Sequence, residues 1–258
     1  MSRKPTLVFV PGAWHNADTW DKITSLMEAE QYKSIRVALP SATPNPSATF
    51  LEDIKAVRNS IVAETIEGRD VVVVAHSYGG IVGSSAIKGL VRQKQDVSLS
   101  ANDLSGHVLG IVMLASGFIP TGVSFLDGFG GKPPPSWKAD VQSGFATIAV
   151  DPRDLFYHDL PTEEGNYWVS KLEKQSLKAL AEGGEHAYAG WMDVPVWYLA
   201  TTEDKALPIQ AQRMFVQIAK DAGADVTLRE VESSHSPMLS KPKETADFIL
   251  EAVTSFVG

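Results

Sequence analysis

Asp70-Val71-Val72-Val73-Val74-Ala75-His76-Ser77-Tyr78-Gly79-Gly80 is the stretch whose reading decides the fold. Four consecutive valines form a β-branched run too apolar for anything but a strand buried on both faces. The run stops at His76-Ser77, and Ile81 to Leu90, with small residues mixed among apolar ones, reads as a helix. A serine caught between a buried strand and a helix, with glycine two positions on, fits G-x-S-x-G with Ala75 in the first place. In that pattern the chain turns so sharply that the serine Oγ is pushed out at the carboxyl end of the sheet. Gly79 suits a close helix-to-strand approach, and Gly80 keeps the helix start thin. The competing reading is a plain helix cap, a role serines often take; the residues that follow weigh against it.

The chain has 258 residues, enough for one large α/β domain. A formal net charge of -8 without a block of like charge argues against nucleic acid or an anionic membrane as partner. There are no cysteines, so disulfides, thiolate chemistry and cysteine-ligated metals are excluded. The apolar stretch before Pro11-Gly12 is too short for a signal-peptide core and reads as the first strand. We expect a soluble, cytoplasmic protein.

Outward from the serine, the rhythm is strand, helix, strand, helix. Strands are expected at Thr6–Val10, Ile35–Leu39, Val108–Ala115, Val194–Ala200 and Val226–Val231, besides the valine run. Helices are expected from Asn16 to Glu30, Phe50 to Glu67, Ile209 to Ala222 and Pro242 to Phe256, with a polar loop around Ser98 to Ser105. Such alternation means right-handed βαβ units and a parallel sheet. From Phe118 to Gly190 the rhythm breaks into proline, glycine and aromatic residues, with helical spacing from Glu163 to Glu182. We therefore expect a core over 1–117 and 191–258, and a cap or lid over 118–190 that gives a pocket an aromatic wall.

A serine hydroxyl needs a base within reach and a third group to orient that base. Of six histidines, His235 lies in a turn-rich loop four residues after the last strand, on the rim that carries Ser77. His76 is expected to point away from the site. The orienting acid should also follow a strand, where Glu203 and Asp204 are offered; Asp204 is favoured, because a tight turn can aim its short side chain inward. An oxyanion hole needs two backbone N–H groups. Tyr78, next to the serine, and Ala13, in the Gly12-containing loop after the first strand, are the candidates. Pocket candidates are Trp14, His15, Phe118, Trp137, Phe156, Tyr157 and Trp168.

These motifs, Val10-Pro11-Gly12-Ala13-Trp14-His15, Ala75 to Gly80, Glu203-Asp204-Lys205 and Ser234-His235-Ser236-Pro237, resemble those of the α/β-hydrolases over nearly the whole chain. Within that superfamily the chain is similar to compact fungal and bacterial esterase- or lipase-like members and to the plant methylesterase and hydroxynitrile lyase branch. The resemblance implies an α/β-hydrolase fold, a doubly wound, mostly parallel sheet with a helical cap inserted after the fourth strand. The family sheet has eight strands and this chain opens at the family's third, so six are expected. It implies Ser77 as nucleophile, His235 as base, Asp204 as its partner, and no metal or organic cofactor. Hydroxynitrile lyases of this branch carry a lysine directly after the histidine, where this chain has Ser236. The expected activity is hydrolysis of a small, apolar or aromatic carboxylic ester or lactone by a monomer or homodimer. A lyase or cyclase using the same residues as a proton shuttle, and a non-catalytic receptor, are the competing readings.

Overall fold

A computed structural model of the chain describes residues 4–92 and 105–258. Its first half builds β1 (Thr6–Val10), α1 (Asp21–Ala29), β2 (Ser34–Arg36), α2 (Phe50–Thr65), β3 (Val71–His76), α3 (Tyr78–Ala86) and β4 (Val108–Leu114). A middle segment carries α4 (Phe125–Gly128), β5 (Trp137–Asp140), β6 (Phe145–Ile148), α5 (Pro152–Phe156), α6 (Thr162–Ser170), β7 (Gln175–Ser176) and α7 (Leu177–Ala181). The chain then returns through β8 (Val196–Thr201), α8 (Ile209–Asp221), β9 (Val226–Val231), α9 (Pro237–Ser240) and α10 (Pro242–Val257). Most of the polar loop expected around Ser98 to Ser105 lies outside the described residues.

Six strands form one sheet in the order β2-β1-β3-β4-β8-β9, and each of its described pairings is parallel. The valine run sits near its centre, between β1 and β4, and all four valines are fully buried. Side chains alternate along a strand. Val71, Val73 and Ala75 therefore pack with Val57 and Ile61 of α2 and Ile81 of α3, while Val72 and Val74 pack with Ile23 of α1 and Ile249 of α10. Helices on both faces are what a parallel sheet of continuous apolar strands requires.

Several local boundaries differ from the sequence expectation. The Asn16 side chain accepts from Asp18 N–H and starts a 3-10 turn, Ala17–Trp20, ahead of α1. β2 ends at Arg36, and α3 ends at Ala86 before Gly89 takes a positive φ of 72°. The middle segment is not purely helical, since β5, β6 and β7 make a second, three-stranded antiparallel sheet. Its strands have four residues or fewer and at most two buried positions each, so no buried β-branched run announces them.

Register places the chemistry. Val10 pairs with Ala75, so the loop Pro11 to His15 leaves the sheet beside Ser77. Thr201 pairs with Val231, so Asp204 and His235, three and four residues further on, leave the same rim together.

Candidate active site

Ser77 joins β3 to α3 with φ 52° and ψ -126°. A non-glycine residue at positive φ costs about 1–3 kcal/mol and persists only where its surroundings over-determine it. Here they do. Ser77 N–H donates to Leu114 O at 3.0 Å, and its carbonyl accepts from Gly80 N–H at 3.0 Å and from Ser116 Oγ at 2.6 Å. A Cβ at Gly79 would collide with the carbonyl oxygens of Val10 and Pro11, and one at Gly80 with Ser116 Oγ. Backbone approach thus requires glycine at 79, while at 80 a Cβ would displace Ser116 Oγ from its bond to the Ser77 carbonyl.

Tyr78 turns its ring into the core, where its hydroxyl donates to Asp53 of α2 at 2.7 Å. Burial pushes the Asp53 carboxyl up to about 6 and raises the Tyr78 phenol well above its ordinary range. The Tyr78 N–H belongs to the first residue of α3, directly after Ser77. Neither it nor the Ala13 N–H donates to a protein acceptor among the described residues.

Asp204 is buried and meets His235 Nδ1 at 2.7 Å through Oδ2. The same oxygen accepts from Thr201 Oγ1 at 2.8 Å and Gln212 Nε2 at 3.1 Å, while Oδ1 accepts from the Ala206 and Leu207 N–H groups, each at 2.8 Å. A buried carboxylate needs this complete a set of donors. The carboxylate can only accept, so Nδ1 carries the imidazole proton and leaves Nε2 with a free lone pair. Glu203, the other candidate acid, instead lends its carbonyl to His158 Nε2 at 2.9 Å.

His76 does not point away from this group. Alternation sends its ring to the face opposite Ala75, and there the His235 loop crosses it. The two rings lie 4.6 Å apart, and His76 Nε2 donates to the His235 carbonyl at 2.8 Å. His15 completes the cluster 5.7 Å from His76, donating from Nδ1 to Ala13 O at 2.7 Å and accepting from the Tyr157 hydroxyl at 2.8 Å. Burial, aided by the neighbouring imidazoles, lowers His15 to about 4 and His76 well below the ordinary histidine value. Both are neutral struts, His76 for the base loop and His15 for the loop of Ala13.

Ser77 and His235 open into one cavity of about 440 Å³. Trp14, Trp137 and Phe156 are on its wall as placed by sequence; His15, Phe118, Tyr157 and Trp168 are not. His15 and Tyr157 are bonded to each other behind Phe156, Phe118 stacks on Tyr198 in the core, and Trp168 packs in the α1 and α10 layer. The remaining wall includes Phe125 and Phe129 from the middle segment and Leu207, Met214 and Phe215 from α8 and the turn before it. Helical spacing marks Phe215 only as an amphipathic-face residue, so this side of the wall has no sequence signal. Ser116 and Gln212 carry little sequence signal either; a serine two residues after β4 is a faint cue, and Gln212 has none. No group of three metal-holding side chains occurs among the described residues.

A model of the alpha/beta hydrolase family matches residues 7–248. The alpha/beta hydrolase nvfD of Aspergillus novofumigatus is 28% identical, with 99% of this chain and 97% of that protein covered. Methylesterase 1 of Arabidopsis thaliana is 23% identical over 99% of this chain and 98% of its own length. The crystal structure of polyneuridine aldehyde esterase superposes with a TM-score of 0.73 at 20% identity, covering 97% of this chain and 99% of that one. At that identity the superposition speaks to the fold alone.

Proposed function

This chain belongs to the alpha/beta hydrolase family, and from that premise we propose that it is a serine hydrolase cleaving a carboxylic ester or lactone through an acyl-enzyme. One observation carries the reading: a strained serine at a strand-to-helix turn shares a cavity with a histidine whose far nitrogen is held 2.7 Å from a buried aspartate. Strain of this kind gathers at functional sites, and a hydrogen-bonded acid behind an imidazole is how a hydroxyl is activated.

In the proposed reaction Ser77 Oγ attacks the carbonyl carbon while His235 Nε2 takes the hydroxyl proton. Asp204 keeps the imidazole in the Nδ1–H tautomer and stabilises the imidazolium. The oxyanion is received by the Ala13 and Tyr78 N–H groups, each worth about 3–4 kcal/mol in such a site. His235 then returns the proton to the departing alkoxide, and a water activated by the same nitrogen releases the acid. The neutral His15 and His76 matter here, since a second charge beside His235 would oppose imidazolium formation.

The cavity wall is dominated by aromatic and aliphatic side chains, which supports an uncharged, apolar or aromatic substrate. Hydroxynitrile lyase chemistry is less supported, because Ser236 stands where that branch has its lysine and is buried off the cavity wall. The test is turnover of short p-nitrophenyl esters and aryl lactones by wild type and Ser77→Ala. Hydrolysis by wild type that falls by about 10³-fold or more in the variant is expected; equal rates would refute the reading.

A further inference from the structure

Trp14 stands where two concave spaces meet. The cavity at Ser77 and a shallower groove of about 370 Å³ share two wall residues, Trp14 and Ile148. Beyond them the groove is bounded by Phe145 and Thr147 of β6 and by Glu173 and Lys174 ahead of β7, with Lys174 Nζ 5.0 Å from the centre of the Phe145 ring. Ser77 lies on the cavity side of this boundary, and none of the groove's other wall residues borders the cavity.

The backbone of Trp14 has a φ of 62°, a conformation a bulky side chain rarely adopts. Three hydrogen bonds impose it. Trp14 N–H donates to Gln175 Oε1 at 3.2 Å, its carbonyl accepts from Glu173 N–H at 2.7 Å, and the indole Nε1 donates to Ala146 O at 2.9 Å. All three partners belong to β6, β7 or the residues just before β7. The indole is thereby fastened across the gap between the Ala13 loop and the middle segment, braced by Trp137 and Phe156 at 6.0 and 6.2 Å between ring centres.

We propose that Trp14, with Ile148, is the end wall of the substrate cavity, closing it against the groove and so setting the length of ester the enzyme accepts on the side next to Ala13. This rests on the serine hydrolase reading. The wall selects compact apolar esters and excludes those whose chain runs straight past the oxyanion site. Without the indole, a long alkyl chain passes Phe145 and the stem of Lys174 and reaches solvent.

The test compares wild type, Trp14→Gly and Ile148→Ala. Glycine accepts the positive φ at position 14 without strain. Ile148→Ala opens the same partition from the other side and leaves the Ala13 loop untouched. Two readouts are taken. One is the rate at which Ser77 is phosphonylated by phosphonofluoridates carrying a methyl or an octyl chain, fluoride leaving, followed by intact mass. The other is the octanoate-to-acetate ratio of kcat/KM, with matched esters of octanol and methanol. The long-to-short ratio should rise about tenfold or more in both variants, the scale on which apolar pockets discriminate chain length. An adduct on wild-type Ser77 with unmoved ratios in both variants overturns this proposal alone. No adduct on any of the proteins overturns it together with the reading it rests on.

Discussion

Asp204 shows how much of the proposed chemistry depends on which atom faces which partner. Its Oδ1 is claimed by two backbone N–H groups, at Ala206 and Leu207, which cannot turn into acceptors. In Asp204→Asn the amide oxygen must therefore stay at Oδ1, and the NH₂ group takes the place of Oδ2, facing His235 Nδ1 and Gln212 Nε2. Donor then meets donor. The imidazole is driven to the Nε2–H tautomer, which has no lone pair towards the cavity. We expect kcat to fall by about 10⁴-fold, checked by ester kinetics beside calorimetry that shows the variant folded. Asp204→Ala, which imposes no tautomer, should be less impaired in kcat than the isosteric change if this account is right. A mild loss in Asp204→Asn would remove Asp204 from its proposed role.

At the scale of elements, the elbow is a packing solution as much as a chemical one. α3 starts against the end of β1 only because Gly79 has no Cβ to meet the Val10 and Pro11 carbonyls. Backbone cannot yield as a side-chain tip can, so Gly79→Ala should cost about 3 kcal/mol or more, seen as a lowered denaturation midpoint in urea. Gly89→Ala offers contrast: it strains a positive φ but meets no neighbouring atom. The same elements explain what could be read from sequence. A run of valines admits one environment, and Ser77-Tyr78-Gly79-Gly80 after it admits few turns, so β3, α3 and the serine were legible. The acid and base loops were legible too, because each follows a recognisable strand. β5, β6 and β7 were not, since Trp137-Lys138-Ala139-Asp140 and Phe145-Ala146-Thr147-Ile148 gain their pairing from each other rather than from a buried run. The place of His76 is not legible for a related reason: alternation along β3 predicts its face, but not that the His235 loop crosses that face.

For the whole molecule, the buried titrating groups set how stability responds to acid. His15 titrates at about 4 in the fold and near 6.5 when unfolded, so the unfolded chain takes the proton first. Its contribution is fully present above about pH 6.5 and is lost as pH falls towards 4, amounting to about 3 kcal/mol. His76 acts in the same sense. Asp53 acts in the opposite one, because its folded value of about 6 lies above the ordinary 3.8 and protonation favours the fold. His15→Gln can still donate to Ala13 O and accept from Tyr157, but does not titrate. Urea unfolding at pH 7 and pH 4.5 should show a smaller acid loss in His15→Gln than in wild type, and a larger one in Asp53→Asn. Parallel profiles would contradict this. No helix among the described residues is long and apolar enough to cross a membrane.

The proposed chemistry stands on Ser77 as an activated nucleophile. It is tested most directly by intact-mass titration with a fluorophosphonate, followed by peptide mapping, for wild type, Ser77→Ala and Asp204→Asn. One adduct per chain is expected on Ser77, none in Ser77→Ala, and much slower formation in Asp204→Asn. An unmodified wild type, or an adduct that survives Ser77→Ala, would contradict it.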